Sequence, residues 1–328
     1  MTLKVILNPC AKRRDAGDRS DAVRAVLHAA GLDCELTATR AAGDATRAAL
    51  TAAQAGFDAI VAAGGDGTVS EVVNGLIAAA GDEPTRPLGI LPLGTGNDFA
   101  EMVGLPRDLR EAAAVIAKGC TRRVDVGRVT YWSDQGSGLD PGSLPGPTGH
   151  AGEPPARRRY FDNNCALAME PMVTIENTRI RRLSGNLRYL LALVRALRKL
   201  RAWRMRISWD DGSYEGPVQL FSVCNGSRCG GLFKMAPDAR LDDGLFDFVL
   251  APELSKLEVL RLLPRIFRGT HVRHPGVLYA RARRITIESE PGSPIHADGE
   301  VLTESAGRIE YELLPGKLTL LVPPVASR

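Results

Sequence analysis

Over the first 125 residues, strand-like and helix-like stretches alternate. Residues 3–7, 59–63 and 88–93 are short, almost unbroken apolar runs, which read as strands buried on both faces, and 33–37 adds a further strand. Between and after them, residues 21–30, the alanine-rich 45–55, 69–80 and 109–118 read as helices; Val69, Val72, Val73, Leu76 and Ile77 keep helical spacing. This alternation predicts an open parallel sheet flanked by helices. From residue 205 onward the pattern is that of strands, at 205–209, 218–225, 246–251, 284–288, 309–313 and 318–322. Turns at Asp211-Gly212 and Asp243-Gly244 separate several of them, and one helix over 254–269 carries Pro264, which is expected to bend it. The expected fold class is α/β: an N-terminal open parallel-sheet domain over residues 1–125 and an antiparallel β-rich domain over 126–328.

Two stretches stand apart. Glycine and proline dominate residues 133–158, which are expected to be an insertion without packed structure. No acidic residue lies between Glu176 and Asp210; Arg179, Arg181, Arg182, Arg188, Arg195, Arg198, Lys199, Arg201, Arg204 and Arg206 do. Leu187, Leu190, Leu191, Val194 and Leu197 recur among them at helical spacing. A basic amphipathic helix over 186–201 either lies on an anionic membrane surface or packs its stripe on its own domain with the basic face in water. No nucleic-acid-binding module accompanies it, so nucleic acid is not an expected partner.

The candidate chemistry begins where the strand at 59–63 breaks into Gly64-Gly65-Asp66-Gly67-Thr68. A glycine turn between strand and helix aims backbone N–H groups and a helix N-terminus at one spot, which suits phosphate, and glycine permits the close approach. Asp66 is the unusual member. Beside phosphate a carboxylate needs an intervening cation, so it points to Mg²⁺ carried with a nucleotide; the other reading is a helix cap. A second strand, glycine turn and helix follows at Leu93-Gly94-Thr95-Gly96-Asn97-Asp98-Phe99. Parallel strands place both turns on one sheet edge, where ligands bind. No G-x-x-x-x-G-K-[ST] occurs, which excludes a P-loop, and Gly94-Thr95-Gly96 lacks the third glycine of the dinucleotide fingerprint.

GGDGTVSEVVNGL and LPLGTGNDFAEMVGLP, with GGLFKMAPDARLDDGLFDFVL and HADGE further on, resemble the diacylglycerol kinase family of lipid kinases. That family includes soluble bacterial diacylglycerol kinases, YegS-like lipid kinases, and sphingosine and ceramide kinases. The resemblance covers most of the chain outside 133–158. It implies a β-sandwich second domain whose last strands return toward the first, with ATP and Mg²⁺ as cofactors and a lipid alcohol such as diacylglycerol as acceptor. It assigns nucleotide contacts to Asn8, Pro9, Thr39, Gly64, Gly65, Asp66, Gly67, Thr68, Glu71, Gly94, Thr95, Asn97 and Asp98. Glu300 matches the catalytic base, expected across the interdomain cleft from Asp66, and Asp298 would orient that site or touch the metal network. A structural Mg²⁺ would take the carboxylate of Asp243 and carbonyls of Arg240 and Leu245; without the resemblance, Asp243-Gly244 reads as a plain turn. Two segments depart from the family pattern. Lys12, Arg13 and Arg14 stand in the loop after Asn8-Pro9, where a small hydroxyl-and-glycine loop is usual. Ala168-Met169-Glu170-Pro171 stands where a glycine and an aspartate are usual.

Composition narrows this only a little. The 328 residues fit two domains, and a net charge of +4 with pI about 8.8 is too mild to demand a polyanionic partner. The six cysteines contain no C-x-x-C pair, which disfavours zinc and suits a reducing cytoplasm. No signal peptide or membrane span is read, so the expected location is cytoplasmic with peripheral membrane contact; a homodimer is left open. Two other functions stay open: an NAD-kinase-like enzyme acting on a soluble nucleotide, and a membrane-associated nucleotide sensor without turnover.

Overall fold

The computed structural model describes residues 1–10, 16–133, 143–147, 155–180 and 185–324. Lys12, Arg13, Arg14, Arg181, Arg182 and most of 133–158 lie outside the described residues. The chain divides into two units: Met1–Val126 with Leu241–Asp243 and Leu314–Arg328, and Gly127–Arg240 with Gly244–Leu313.

In the first unit every residue of Ala59–Gly64 and of Leu88–Pro92 is buried, because runs of Val, Ile, Leu, Ala and Gly have no polar face to turn to water. With Leu3–Leu7 and Cys34–Ala38 they make a parallel ladder, β1 (Leu3–Leu7), β2 (Cys34–Ala38), β3 (Ala59–Gly64) and β4 (Leu88–Pro92), in the order β2-β1-β3-β4. The helices between are α1 (Ala16–Ala29), α2 (Asp44–Gln54), α3 (Asp66–Ala80), α4 (Asp98–Met102) and α5 (Leu109–Lys118). Helix α3 packs so closely on α2 that a Cβ on Gly75 would sit 2.3 Å from the Thr46 carbonyl oxygen. In this order the chain leaves β1 toward β2 and leaves β3 toward β4. The loops diverge there and open a crevice at the carboxyl ends of β1 and β3.

Next come β5 (Thr121–Trp132), β6 (Leu144–Pro145), β7 (Ala156–Phe161), β8 (Asn164–Ala168), α6 (Met169–Arg179), α7 (Gly185–Arg198), β9 (Trp203–Trp209), β10 (Gly212–Cys224), β11 (Phe246–Pro252), α8 (Lys256–Arg268), β12 (Leu278–Ala282), β13 (Arg284–Ala297) and β14 (Glu300–Leu321). Pairing within the second unit is antiparallel. Two short strands share one slot there: β9 pairs with the first halves of β10 and β13, and β8 with their second halves. Helices α6 and α7 are the excursion between them. The core of this unit is aromatic, with Phe161 stacked on Phe246 at 5.6 Å and Trp209 edge-on to Phe248 at 5.2 Å.

The α/β class expected from the sequence is observed, and its differences in detail have local causes. The strands expected at 309–313 and 318–322 are one strand, β14, whose final residues belong to the first unit. Part of the glycine- and proline-rich segment is ordered against β7: Leu144 and Pro145 pair with Arg158 and Arg157. Asp243-Gly244 is no hairpin turn, since the flanking strands end at Cys224 and begin at Phe246. Helix α6 escaped the sequence reading because Met-Glu-Pro-Met-Val-Thr-Ile shows no apolar stripe and carries a proline. That proline lies in the first helical turn, where its missing N–H costs nothing. Pro264 sits inside α8, which begins with a Ser255–Glu258 capping box and ends at Gly269, φ 70°.

Candidate active site

The first cluster is built on the crevice side of β1, β3 and β4. The β3–α3 and β4–α4 turns touch backbone to backbone: a Cβ on Gly94 would lie 2.5 Å from the Gly65 Cα, and one on Gly65 would lie 3.0 Å from the Gly94 Cα. Position 94 therefore has no room for a side chain, and position 65 is tight. Asp66 fastens them together, its carboxylate accepting from the backbone N–H of Asn97 at 2.8 Å and of Phe99 at 3.3 Å. It thus caps α4 across space, while its own helix is preceded by Gly65. Asn97, at φ 59°, closes the second turn by accepting from Gly94 N–H and donating to the Gly94 carbonyl.

Asn8, just past β1, donates to the Thr68 hydroxyl at 3.2 Å and so ties the end of β1 to the first turn of α3. Pro9 follows and its carbonyl accepts from Arg19; Thr39 N–H bonds the Leu7 carbonyl at the end of β2. Thr95 is exposed and Asp98 is buried. The Glu71 carboxylate accepts from Ala45 N–H at 3.0 Å and holds the start of α2. The remaining members, Gly64, Gly67 and Thr68, lie on the β3–α3 turn itself; a Cβ on Gly64 would strike the Thr68 side chain at 2.3 Å.

A second cluster lies in the second unit, on the turn between β13 and β14. Asp298 adopts φ 48°, and its carboxylate accepts three backbone N–H groups, from Asp162 (3.1 Å), Asn163 (3.0 Å) and Asn164 (3.0 Å). It is the anchor of the β7–β8 turn. Glu300 accepts from Arg159 at 2.6 Å. That arginine is fully buried, so the guanidinium holds the half-exposed carboxylate in one place. His296 accepts Gly299 N–H at Nδ1, 3.2 Å, and turns Nε2 toward Glu170 at 3.4 Å. Burial pushes the Glu170 carboxyl up, but His296 and Asn164 pull harder and leave it below the usual carboxylate range.

Arg159, Asn164 and Glu170 were not singled out from sequence as parts of this cluster, whereas His296 was read within the same motif as Glu300. The available signal for Arg159 was its place on the inward face of β7, two residues from Phe161. Ala168, at φ 66°, precedes Glu170 and is the third described non-glycine residue with positive φ, beside Asn97 and Asp298. Its strain of about 1–3 kcal/mol exceeds the unfolded-state freedom that glycine would add, about 0.4–1 kcal/mol. Ala168→Gly is therefore expected to raise the unfolding free energy by about 1 kcal/mol. A denaturant midpoint at or below that of the parent would show that the backbone at residue 168 is unstrained.

Arg240, Asp243 and Leu245 lie on one loop between β10 and β11. Neighbouring residues of that loop are tied to β5 by the Arg122–Asp242 ion pair (2.7 Å) and the Asp125 N–H to Leu241 carbonyl bond (2.6 Å). Among the described residues no three His, Cys, Asp or Glu side chains gather as a metal cage. Asp66 is half-buried at the mouth of the first turn, with its carboxylate bound to the start of α4.

The basic run from Arg179 to Arg206 is less free than its sequence suggests. Arg179 and Lys199 pair with Glu176, Arg206 pairs with Glu215 and Glu288, and Arg201 stacks on Trp203. Arg188, Arg195 and Arg198 of α7 make no ion pair among the described residues. Helix α7 packs on α6 through Ala192 and Ala196, while Leu187, Leu190 and Val194 are 59, 56 and 39% exposed. No described helix is long and apolar enough to cross a membrane. Asn225 of the Asn-Gly-Ser sequon is fully buried and donates to the Asp162 carbonyl, so it is closed to glycosylation.

These features define an α/β protein with a phosphate-type crevice and, in a second antiparallel unit, a fixed carboxylate turn. Residues 2–129 match the diacylglycerol kinase catalytic domain, and residues 166–322 match the YegS C-terminal NAD kinase β-sandwich-like domain. The chain is 32% identical over 299 residues to a diacylglycerol kinase of Bacillus subtilis (strain 168), covering 90% of this chain and 89% of that one. It is 33% identical over 276 residues to a diacylglycerol kinase of Staphylococcus epidermidis, covering 84% and 78%. A crystal structure from Bacillus anthracis str. Sterne, described as a candidate diacylglycerol kinase, superposes with TM-score 0.73 at 25% identity over 98% of this chain and 97% of that one. Yeast NADH kinase complexed with NADH shares the fold alone, with TM-score 0.52, 11% identity, and 100% of this chain and 84% of that one covered. The chain belongs to the diacylglycerol kinase family of lipid kinases.

Proposed function

We propose that this chain transfers the γ-phosphate of ATP, with Mg²⁺, to the hydroxyl of diacylglycerol or a closely related lipid alcohol. The observation that carries the nucleotide half is the contact of the two glycine turns at the switch point, locked by Asp66. The backbone N–H groups of the β3–α3 and β4–α4 turns would bind the phosphates, flanked by Asn8, Pro9, Thr39 and Thr95. Mg²⁺, when bound, would neutralise charge on the phosphates, with Asp66 and Asp98 as its nearest carboxylates. Asn97 shapes the turn, and Glu71 acts at one remove by fixing α2. The loop of Arg240, Asp243 and Leu245 would hold a second, structural Mg²⁺.

Phosphoryl transfer to an alcohol needs no protein nucleophile, only positioning and a group to accept the hydroxyl proton. Glu300, oriented by buried Arg159 on a turn anchored by Asp298, is that base. The acceptor resides in a bilayer. The outward Leu187–Leu190–Val194 stripe of α7, beside Arg188 and Arg195, supports peripheral contact with an anionic surface, and a cytoplasmic, membrane-associated location follows.

The test is incubation with γ-labelled ATP and a panel of lipid alcohols and NAD, each with Mg²⁺ and with a chelator. Label is expected in one lipid class and is expected to vanish on chelation. Label in NAD alone would overturn the lipid reading, and ATP binding without transfer to any alcohol would favour a sensor.

A further inference from the structure

Helix α8 is apolar on two opposite sides. Its inner side, with Val259, Leu262 and Ile266, covers an apolar cavity of about 60 Å³ that extends to Met169, next to Glu170. That side alone accounts for its packing on the unit. The outer side shows Leu257, Leu260 and Phe267 at 57, 54 and 44% exposure, and Pro264 on the same side is exposed as well. At 100° per residue these four form one continuous strip, with Lys256 along one edge and Arg261 and Arg268 along the other. These basic residues make no ion pair among the described residues. Glu258, the one acid of the helix, is engaged in the capping box with Ser255. The strip extends beyond the helix through Phe267, whose ring meets that of Phe233 at 4.9 Å and a 31° tilt, beside Leu232, itself 50% exposed.

We infer that the outer face of α8 is a second membrane-docking surface, distinct from α7, that lies in the headgroup boundary of an anionic bilayer. A strip of leucine and phenylalanine edged by arginine and lysine matches that boundary at both levels: acyl chains take the strip and anionic headgroups take the bases. Bases on both edges of bare apolar surface complement a sheet of negative charge. The inference deepens the lipid-alcohol reading above, because an enzyme with a bilayer-resident acceptor must dwell on that surface. Its test nevertheless reads binding and not turnover.

The experiment sediments the whole chain with vesicles of phosphatidylcholine alone or mixed with phosphatidylglycerol, in rising salt. The parent is expected to bind the anionic vesicles, more weakly as salt rises. Leu257→Asp/Leu260→Asp is expected to weaken that binding at least about tenfold, and Arg261→Glu/Arg268→Glu to weaken it and flatten its salt dependence. Arg188→Glu/Arg195→Glu in α7 serves as a separate arm, and its loss should add to that of the α8 variants. Phosphorylation of a short-chain, water-soluble acceptor is expected to be unchanged in the α8 variants, so loss of docking is distinguishable from loss of the kinase reading. Because the aspartate pair could disturb folding, Leu260→Trp provides an independent measurement: its emission is expected to shift blue and to be quenched by brominated anionic lipid. Parental vesicle binding by the α8 variants, or an unshifted and unquenched tryptophan, overturns the inference. So does a lipid-free change from dimer to monomer in Leu257→Asp/Leu260→Asp with vesicle binding retained, which would make the strip an interface between copies.

Discussion

Glu300→Gln is expected to lower kcat for lipid phosphorylation by roughly 10²–10⁴-fold and to leave ATP affinity near that of the parent. Glutamine keeps the size of the side chain and can still accept the hydrogen bond from Arg159, now 2.6 Å from the carboxylate. It cannot take a proton from the attacking hydroxyl at neutral pH. The loss should therefore fall on kcat and spare nucleotide binding, which we propose draws on residues of the other unit. Fully buried Arg159 loses its anionic partner in this variant, so some stability falls as well. Thermal melts beside the kinetics separate the two effects.

Asp298→Ala provides the contrast. It strips three backbone N–H groups of their acceptor, and the expected first effect is lost stability of about 3 kcal/mol with activity falling in step. Parental turnover by Glu300→Gln would remove Glu300 from the role of base.

Much of this was legible before any coordinates. The glycine turns announced themselves because strand, glycine and helix follow each other within a dozen residues, and such local grammar needs no tertiary information. Their mutual contact was not legible, since it depends on β3 and β4 being neighbours in register, Gly64 opposite Pro92. The role of Asp66 as a fastener was hidden for the same reason: its acceptor bonds reach 31 and 33 residues along the chain. Asp298 and Glu300 were visible only through resemblance. Arg159 lies 141 residues from Glu300, and no periodicity links them. The leucine stripe of α7 was read correctly as apolar. Whether it pointed inward or outward was settled by two alanines, Ala192 and Ala196, small enough to let α6 approach on the other side. The outer strip of α8 escaped notice because the helix is apolar on both sides, so spacing alone names no face.

Asp66 offers the clearest separation of two roles, because two substitutions remove different things. Asp66→Ala deletes both the bonds to Asn97 and Phe99 and the negative charge. Two hydrogen bonds to a charged acceptor are worth about 3 kcal/mol of stability together, so the melting temperature should fall. With the proposed phosphate turns loosened and the charge gone, kcat/KM is expected to fall by at least about 100-fold, which is about 2.7 kcal/mol of barrier. Asp66→Asn is the sharper case. Its amide oxygen can keep the 2.8 Å bond from Asn97 N–H, while the amide group would face Phe99 N–H and lose the longer one. The turns stay largely joined, but the charge is gone. If Asp66 acts only as a fastener, the asparagine variant should retain most of its turnover and bind ATP equally well with and without Mg²⁺. If it also stabilises a nucleotide-borne cation, both variants should lose the Mg²⁺-dependent part of ATP affinity, and Asp66→Asn should do so without a drop in melting temperature. The measurements are ATP titrations of the parent and both variants, each with Mg²⁺ and with a chelator, beside thermal melts. The cation role is the expected result, because a carboxylate that sits partly exposed beside a phosphate-type turn needs an intervening cation. Mg²⁺-dependent affinity that survives intact in Asp66→Asn would reduce Asp66 to a fastener and shift the cation to buried Asp98.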